Sequence, residues 1–189
     1  MRVTVSNEHI VIAITGASGS CYALRLIETL IGAEKQVSLL ITDSGRQVLN
    51  YETEEDWSED AALLQVTLRQ KYGSERISCY ENNDLFSPVA SGSAAPDAVV
   101  IVPCSMGAVG RIAGGMSGTL IERVADVALK ERRDLILVPR ETPLNQIHLE
   151  NLLRLSRAGA HILPAMPGFY QKPTQISELV DFVIGKILD

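Results

Sequence analysis

Residues 10–30 constrain the fold more than any other stretch, because a strand, a tight glycine loop and a helix follow one another directly. Residues 10–14 are apolar and mostly β-branched, which is typical of a strand buried on both faces. The small residues 15–20 end that strand. Apolar residues then recur at helical spacing over residues 23–30. The stretch therefore predicts the first strand–loop–helix unit of an α/β protein.

The glycine loop of this unit has two possible interpretations. Unpaired N–H groups at the start of a helix can cradle an anion, and small residues let a ligand come close. An ordinary strand-to-helix turn in any α/β protein would use the same residue types. The loop has neither the Walker spacing nor a full G-x-G-x-x-G, so neither a nucleoside triphosphate nor a dinucleotide is indicated.

Strand-like and helix-like segments alternate along the rest of the chain. Further strands are predicted at residues 36–42, 77–80, 98–103, 135–139 and 161–163. Further helices are predicted at residues 46–51, 61–71, 120–132, 145–158 and 176–188, with another opening at residues 104–107. This alternation predicts a parallel sheet with helices on both faces, in which ligands bind at the carboxyl ends of the strands. With no repeat or linker, residues 1–189 are expected to form one domain.

Composition and charge exclude several classes of function. A hydrophobic fraction of 46% with only 5% aromatic residues is typical of a compact α/β enzyme. The net charge of -6 argues against general binding to nucleic acid or to anionic membranes. No apolar run reaches the length of a membrane span, and residues 1–8 are too polar and short for a signal peptide. Three scattered cysteines favour reduced thiols and a cytoplasmic location, and their spacing does not suggest a metal site.

Three of the predicted strands end in loops that could bind a ligand. These loops, residues 15–20, 103–107 and 139–143, are expected on one rim of the sheet. The first two offer backbone N–H groups and hydroxyls such as Ser18 and Ser105, which suit a phosphate or the polar edge of a flat heterocycle. Each helix dipole contributes only ~0.3–1 kcal/mol to a bound anion, so basic side chains are needed to hold a dianion.

Three basic residues are candidates for that role. Arg140 directly follows a buried strand, a position for which a surface arginine has no structural need. Arg123 and Lys130 are seven positions apart on one predicted helix and therefore share a face. Arg132 and Arg133 are better explained as cations that stabilise the C-terminus of that helix.

Several other polar residues permit two interpretations each. Glu141 could cap a helix or pair with Arg140, or it could be a rim carboxylate that handles protons. Tyr170 could present its hydroxyl to a phosphate oxygen, or it could be a half-buried loop aromatic. The acidic residues 52–60 are expected to form, for the most part, a solvated loop.

The histidines and cysteines give no indication of nucleophilic catalysis. His148 is expected on a solvated helix face and His161 in a structural position, and neither is placed near a nucleophile, so no hydrolase triad is expected. Cys104 could be activated at a helix start, but a small buried thiol is the favoured interpretation.

Five motifs occur in order along nearly the whole chain. They are G-A-S-G-S (16–20), P-C-S-M-G (103–107), L-I-E-R-V-A-D-V-A-L-K-E-R-R (120–133), V-P-R-E-T-P-L (138–144) and M-P-G-F-Y-Q-K-P (166–173). Together they resemble the flavin prenyltransferase family, the UbiX-like FMN flavoproteins, whose wider relatives are the homo-oligomeric flavin-containing cysteine decarboxylases. The resemblance implies a three-layer α/β/α, Rossmann-like fold of the flavoprotein type with a mostly parallel sheet.

The activity implied by the resemblance is transfer of a dimethylallyl group from dimethylallyl monophosphate to reduced FMN. The implied product is prenylated FMN, with a fourth ring that joins the flavin N5 and C6. Decarboxylases of the UbiD type use that product, commonly in ubiquinone biosynthesis. Members of the family resemble one another in forming homo-oligomers, typically dodecamers, whose sites lie between subunits and need no metal.

The resemblance also implies roles for individual residues. The implied FMN contacts are Gly16, Ala17, Ser18, Thr42, Ser105, Met106, Gly107, Ala108 and Arg140. The implied contacts of the prenyl phosphate are Lys130, Arg140, Tyr170 and Lys186, with Ser93 and Arg123 nearby. The implied catalytic residues are Ser18, Glu52 and Glu141. Only the resemblance distinguishes Glu52 from the rest of the acidic run.

Three positions depart from the family pattern. Leu85, with Phe86 beside it, stands where members often carry a tryptophan in the loop before P-x-A-S-G-S. Lys186 stands where an arginine is usual, so a bidentate phosphate contact becomes a point charge. Ala108 replaces a typical hydroxyl residue and removes one flavin contact.

Two other functions stay open from the sequence. One is an FMN-dependent decarboxylase like the cysteine decarboxylases, which typically rely on a histidine soon after the first helix. This chain has no histidine between His9 and His148, which counts against that function. The other is a non-catalytic FMN carrier, which could dispense with the residues assigned to the prenyl phosphate.

Overall fold

Six parallel strands form the centre of the structure. The computed structural model describes residues 8–189, so the expectation about a signal peptide falls on a segment that, apart from its last residue, lies outside the described residues. The strands are β1 (His9–Ile14), β2 (Gln36–Ile41), β3 (Ile77–Tyr80), β4 (Ala98–Cys104), β5 (Asp134–Pro139) and β6 (His161–Ile162). Their order across the sheet is β3-β2-β1-β4-β5-β6. Every neighbouring pair is parallel, which confirms the sheet expected from the alternation of elements.

Helices cover both faces of this sheet. They are α1 (Ser20–Gly32), α2 (Asp43–Glu52), α3 (Ala61–Tyr72), α4 (Met106–Ala113), α5 (Leu120–Glu131), α6 (Gln146–Ala158) and α7 (Ile176–Leu188). The helices α4, α5 and α6 share one hydrophobic core with the sheet, and α1, α2, α3 and α7 share the other. The three-layer α/β/α fold is therefore confirmed. Within residues 8–189, none of these helices is long and apolar enough to cross a membrane.

Successive side chains of the central strands enter opposite cores. In β4, Val99 and Ile101 pack with α4, α5 and α6, whereas Val100 and Val102 pack with the helices of the other face. All four side chains are buried. Burial on both faces explains why the central strands appear in the sequence as continuous apolar runs without polar alternation.

The helix boundaries differ from the predicted ones mainly at α2. The sequence places a cap at residues 43–45 and the helix from Arg46, but α2 begins at Asp43. Thr42 is the N-cap, because its backbone is extended and its hydroxyl accepts the N–H of Gly45 at 3.0 Å. His148, expected on a solvated face, instead takes part in the capping box of α6 with Asn145.

The acidic residues 52–60 are more structured than the sequence suggests. Glu55 pairs with Lys71 and accepts the indole N–H of Trp57, whose side chain is buried. Asp60 caps α3 by accepting the N–H groups of its first turn at 2.8 and 3.0 Å. The expectation of a mostly solvated loop is confirmed, since five of the six carboxylates in residues 52–60 are exposed, although Glu55 and Asp60 also satisfy donors of the packed chain.

Candidate active site

The strand order reverses its direction between β1 and β4, and the loops that follow these two strands are bonded to each other. Thr15, which directly follows β1, is buried and donates its hydroxyl to the carbonyl oxygen of Pro103 at 2.9 Å. The same hydroxyl oxygen accepts the N–H of Ser105 at 2.7 Å. Such a switch point is where open α/β sheets bind ligands. Sequence reasoning assigned no role to Thr15, and a hydroxyl residue directly after a buried strand was the only signal.

Several of the side chains expected to contact FMN or to catalyse lie along this edge of the sheet. We call this set the rim site, and its members are Gly16, Ala17, Ser18, Thr42, Glu52, Ser105, Met106, Gly107, Ala108, Arg140 and Glu141. The carboxyl ends of β1, β2, β4 and β5 are neighbours in the sheet, so the loops after them are neighbours too.

Glu52 is the last residue of α2, and its carboxylate lies at the N-terminus of α1. Its carboxylate accepts the N–H of Gly19 at 3.0 Å and the N–H of Ser20 at 2.9 Å. Partial burial alone would raise the pKa of Glu52, but the Ser18 side chain and these two N–H groups favour the ionised form and lower that pKa. The expectation of unpaired N–H groups at the start of α1 was therefore wrong, because the chain's own carboxylate fills that cradle.

Arg140 brings the loop after β5 to the loop after β1. Its Nε donates to the carbonyl oxygen of Ser18 at 3.2 Å, and its backbone N–H donates to the carbonyl oxygen of Cys104 at 3.3 Å. Within residues 8–189, no carboxylate forms an ion pair with Arg140. Its positive charge at the switch point is thus left for a ligand.

Glu141 is exposed and does not pair with Arg140, although the two residues are adjacent in sequence. Its carboxylate accepts the N–H of Thr142 at 3.0 Å. The ion-pair interpretation of Glu141 is therefore excluded in this structure. An exposed carboxylate on the rim keeps lone pairs that can accept a proton.

The loop after β4 opens α4 with free donors. Ser105 is the N-cap and accepts the N–H of Ala108 at 3.2 Å. As the first residues of the helix, Met106 and Gly107 have N–H groups without an intrahelical acceptor. Beneath them Cys104 is fully buried, and burial raises the pKa of its thiol to about 12. The interpretation of Cys104 as an inert buried thiol is confirmed.

Thr42 and Gly16 show how closely the loops after β1 and β2 approach each other. A Cβ atom built on Gly16 would lie 2.5 Å from the hydroxyl oxygen of Ser44, so the loop after β1 leaves no room for a side chain there. The Thr42 hydroxyl caps α2 and also contacts Ser44 at 3.2 Å. Small residues and hydroxyls therefore line this end of the rim.

The rim site fits flavin mononucleotide in the chemistry of its donors. It combines an arginine without a carboxylate partner, the N–H groups at the start of α4, several hydroxyls and a glycine that a side chain could not replace. These groups can bind a phosphate and a polar heterocycle edge. Within residues 8–189, no group of three or more His, Cys, Asp or Glu side chains could hold a metal ion.

A second group of predicted ligands, which we call the α5 cluster, consists of Ser93, Arg123 and Lys130. The Nε of Arg123 donates to the carbonyl oxygen of Ala90 at 3.1 Å. A Cβ atom built on Gly92 would lie 3.1 Å from the Nζ of Lys130, so that ammonium group rests on the turn that carries Ser93. The loop of residues 82–96 is therefore packed against α5 and places hydroxyls beside a cation.

The α7 cluster, Tyr170 and Lys186, is the third group. The ring of Tyr170 packs edge-on against Phe182 with a centroid distance of 5.7 Å, and Tyr170 as a whole residue is 75% exposed. The Nζ of Lys186 lies 2.6 Å from a carboxylate oxygen of Asp189, and this bond raises the pKa of Lys186. Tyr170 and Lys186 border the same surface depression.

These three groups lie in separate places on one chain. Lys130 is near the end of α5, directly before β5 begins, whereas Arg140 follows the end of β5. Since a strand advances about 3.3 Å per residue, the length of β5 separates them by roughly 17 Å. Lys186 also borders a depression at the amino ends of the strands, together with Asp97 and Asp134. The structure therefore brings the FMN residues together and places Lys130 and Lys186 apart from them.

Comparison with known proteins finds similar proteins over nearly the whole chain. The family model "Flavoprotein" matches residues 2–188. The flavin prenyltransferase UbiX of Pseudomonas aeruginosa is 48% identical over 96% of this chain and 88% of its own length. The structure of AnUbiX (PadA1) in complex with FMN and dimethylallyl pyrophosphate superposes with a TM-score of 0.87 and 37% identity, covering 97% of this chain and 91% of that one.

A third similar protein is an oligomer. The dodecameric FMN-dependent UbiX-like decarboxylase from Escherichia coli O157:H7 gives a TM-score of 0.85 at 32% identity, over 96% of this chain and 93% of that one. These similarities extend over almost the whole chain, so they cover the rim site and both clusters.

Proposed function

Because this chain belongs to the flavin prenyltransferase family, we propose that it transfers a dimethylallyl group from dimethylallyl monophosphate to reduced FMN. The product in this proposal is prenylated FMN, with new bonds at the flavin N5 and C6. The proposed user of the product is a decarboxylase of the UbiD type, in ubiquinone biosynthesis. These finer points rest on the resemblance of the five sequence motifs and on the FMN and dimethylallyl pyrophosphate bound in a similar structure.

The observation that carries the proposal is the uncompensated charge of Arg140 at the switch point. The reaction consumes two phosphate esters, and a cation fixed next to the β1 and β4 loops can contact a phosphate oxygen with little reorganisation.

We propose that each complete site is assembled from more than one copy of the chain. Within one chain, Lys130 lies roughly 17 Å from Arg140, too far to contact the same phosphate group, and Lys186 borders a depression at the amino ends of the strands. The dodecameric relative supports an assembly in which the clusters of neighbouring copies meet a rim site. The exposure of Tyr170 and of Phe86, which is 100% exposed, supports the same arrangement.

The residues of the assembled site would each have a distinct task. Reduced FMN supplies the two nucleophilic positions that accept the prenyl group. Lys130, Lys186 and Arg140 stabilise the charge that grows on the phosphate as its bond to the prenyl group breaks. Phe86, next to Leu85, offers an exposed ring, and an aromatic face stabilises a nearby allylic cation by ~0.5–2 kcal/mol.

The two carboxylates of the rim site would act differently. Glu52 stays ionised because its pKa is lowered, and it holds the Ser18–Ser20 turn in place. Glu141 is exposed and accepts only one backbone N–H. We therefore assign to Glu141, or to the leaving phosphate, the proton that is lost when the ring closes at C6. A Glu141→Gln enzyme that closes the ring at the normal rate would remove Glu141 from this role.

The decisive experiment is an anaerobic incubation of the protein with reduced FMN and dimethylallyl monophosphate, followed by mass spectrometry of the released flavin. We expect a flavin heavier by one five-carbon unit. Arg154→Met, which removes an exposed cation from α6, is the control and should form product at the normal rate. Unmodified FMN that still binds the protein would contradict prenyl transfer and favour an FMN carrier or a decarboxylase.

A further inference from the structure

Glu122 is the only buried carboxylate among residues 8–189. Its Oε1 accepts the Nε–H of Arg111 at 2.7 Å. Its Oε2 accepts the backbone N–H of Gly118 at 2.8 Å and that of Thr119 at 3.2 Å. Because removing a carboxylate from water is costly, these three donors must stay in place if Glu122 is to remain buried and charged.

The Arg111–Glu122 ion pair joins two helices that the backbone connects only loosely. Arg111 lies on α4 and Glu122 in the first turn of α5, and residues 114–118 between the helices are exposed. Three of those five residues are glycines, which give the backbone large conformational freedom. Across the described part of the chain, no other side-chain hydrogen bond runs directly between α4 and α5.

Arg111 also covers the turn that opens α4. Helical side chains point back toward the N-terminus of their helix, so Arg111 lies over the turn that contains Gly107. A Cβ atom built on Gly107 would be 3.6 Å from a terminal nitrogen of the Arg111 guanidinium group. The buried carboxylate of Glu122 thus holds the guanidinium group of Arg111 against Gly107, in the turn of residues 105–108 that belongs to the rim site.

We propose that Arg111 and Glu122 are positioning residues that fix the flavin-binding turn of α4 relative to α5, the helix that carries Arg123 and Lys130. The ion pair touches neither the flavin nor the prenyl phosphate in this proposal. It keeps the first turn of α4 in the geometry that binds FMN. The inference rests on the proposed function only in so far as residues 105–108 bind FMN.

The test measures the dissociation constant of oxidised FMN by titration, together with the melting temperature. Arg111→Met removes the donor, and Glu122→Gln keeps a side chain that suits a capping box but loses the charge. Arg69→Met is the control, because Arg69 also donates through Nε and forms an ion pair, but lies on α3. We expect Arg111→Met to weaken FMN binding about tenfold, as it would if the first turn of α4 held its FMN-binding geometry only about a tenth of the time.

The double variant decides whether the two residues act together. If they do, Arg111→Met/Glu122→Gln binds FMN no more weakly than Arg111→Met alone. The proposal would be overturned if Arg111→Met and Glu122→Gln bound FMN with dissociation constants within twofold of wild type while their melting temperatures fell as in Arg69→Met. That result would show that the ion pair only stabilises the fold. Additive losses of affinity would overturn it as well.

This experiment remains informative if the proposed function fails. FMN titration needs no prenyl substrate, so a wild-type protein that binds FMN without prenylating it would still report the effect of Arg111→Met. A normal FMN affinity in Arg111→Met, measured in an enzyme that prenylates FMN, would overturn the positioning role alone.

Discussion

The rim site and the two outlying clusters hold their cations in opposite ways. The guanidinium group of Arg140 on the rim donates to one backbone carbonyl oxygen, that of Ser18, and has no ion-pair partner within residues 8–189. In the clusters, Lys130 pairs with Glu131 at 2.9 Å, Arg123 with Asp126 at 3.5 Å, and Lys186 with Asp189 at 2.6 Å. In a single chain, the guanidinium group of Arg140 is therefore available to bind an anion. A phosphate at either cluster must instead compete with a carboxylate for the cation.

The largest effect on ligand binding should come from replacing Arg140, the cation without an ion-pair partner. Arg140→Met is expected to weaken FMN binding between about 10- and 100-fold, because hydrogen bonds to charged groups contribute ~1.5–3 kcal/mol. Titration with FMN measures this, and Arg154→Met is the control. An affinity equal to wild type would mean that Arg140 does not meet the flavin phosphate.

Lys130→Met tests whether the α5 cluster and the rim site bind different substrates. We expect the KM for dimethylallyl monophosphate to rise about tenfold through loss of a charge-assisted contact, with FMN affinity within twofold of wild type. Steady-state kinetics at saturating reduced FMN measures the first quantity. Arg132→Met, two positions along and exposed, is the matched control. Equal losses of FMN and prenyl phosphate binding would contradict the division into separate regions.

Glu52 makes the stability of the rim site depend on pH. Its pKa in the folded protein lies below 4.5, the ordinary value for a glutamate, so the carboxylate contributes stability that is complete above pH 4.5 and is lost as pH falls through the lower folded pKa. The difference in melting temperature between wild type and Glu52→Gln should therefore shrink as pH falls from 6 to below 4.5. A difference that is constant over this range would show that the ionised form of Glu52 does not stabilise the α1 turn.

The smallest effect is expected at the α7 cluster. Asp189→Asn removes the carboxylate that competes for Lys186, and an exposed pair of this kind is worth only ~0.2–1 kcal/mol. The KM for dimethylallyl monophosphate should fall by about twofold. Glu150→Gln on α6 provides a control for removal of an exposed negative charge, and a rise in KM for Asp189→Asn would show that Asp189 supports phosphate binding.

Much of the fold could be predicted from local patterns, and the site only in part. The strand at residues 77–80 and the helix at residues 176–188 agree with the structure at both ends, because apolar spacing and turn residues determine them locally. Arg140 could be identified because a charged residue directly follows a buried strand.

Three features of the site depend on tertiary packing and gave little or no local signal. Glu52 appears in the sequence as one carboxylate in an acidic run, and only the fold brings it to α1. Thr15 bonds to Ser105, which lies 90 positions away in the sequence. Arg111 and Glu122 are 11 positions apart and lie on different helices. The wide separation of Lys130 from Arg140 also follows from the course of the chain through β5, which spacing along the sequence does not reveal.

The separation of the three groups has a genetic consequence. In an assembly where each site takes its rim from one copy and its clusters from others, a chain defective at Arg140 and a chain defective at Lys130 can complement each other. Co-expression of the two inactive variants would form some sites with an intact rim and an intact α5 cluster. By the same reasoning, a chain defective at both Arg140 and Lys130 would inactivate two sites of a mixed oligomer, so a mixture of that chain with wild type would lose more activity than its share of mutant protein.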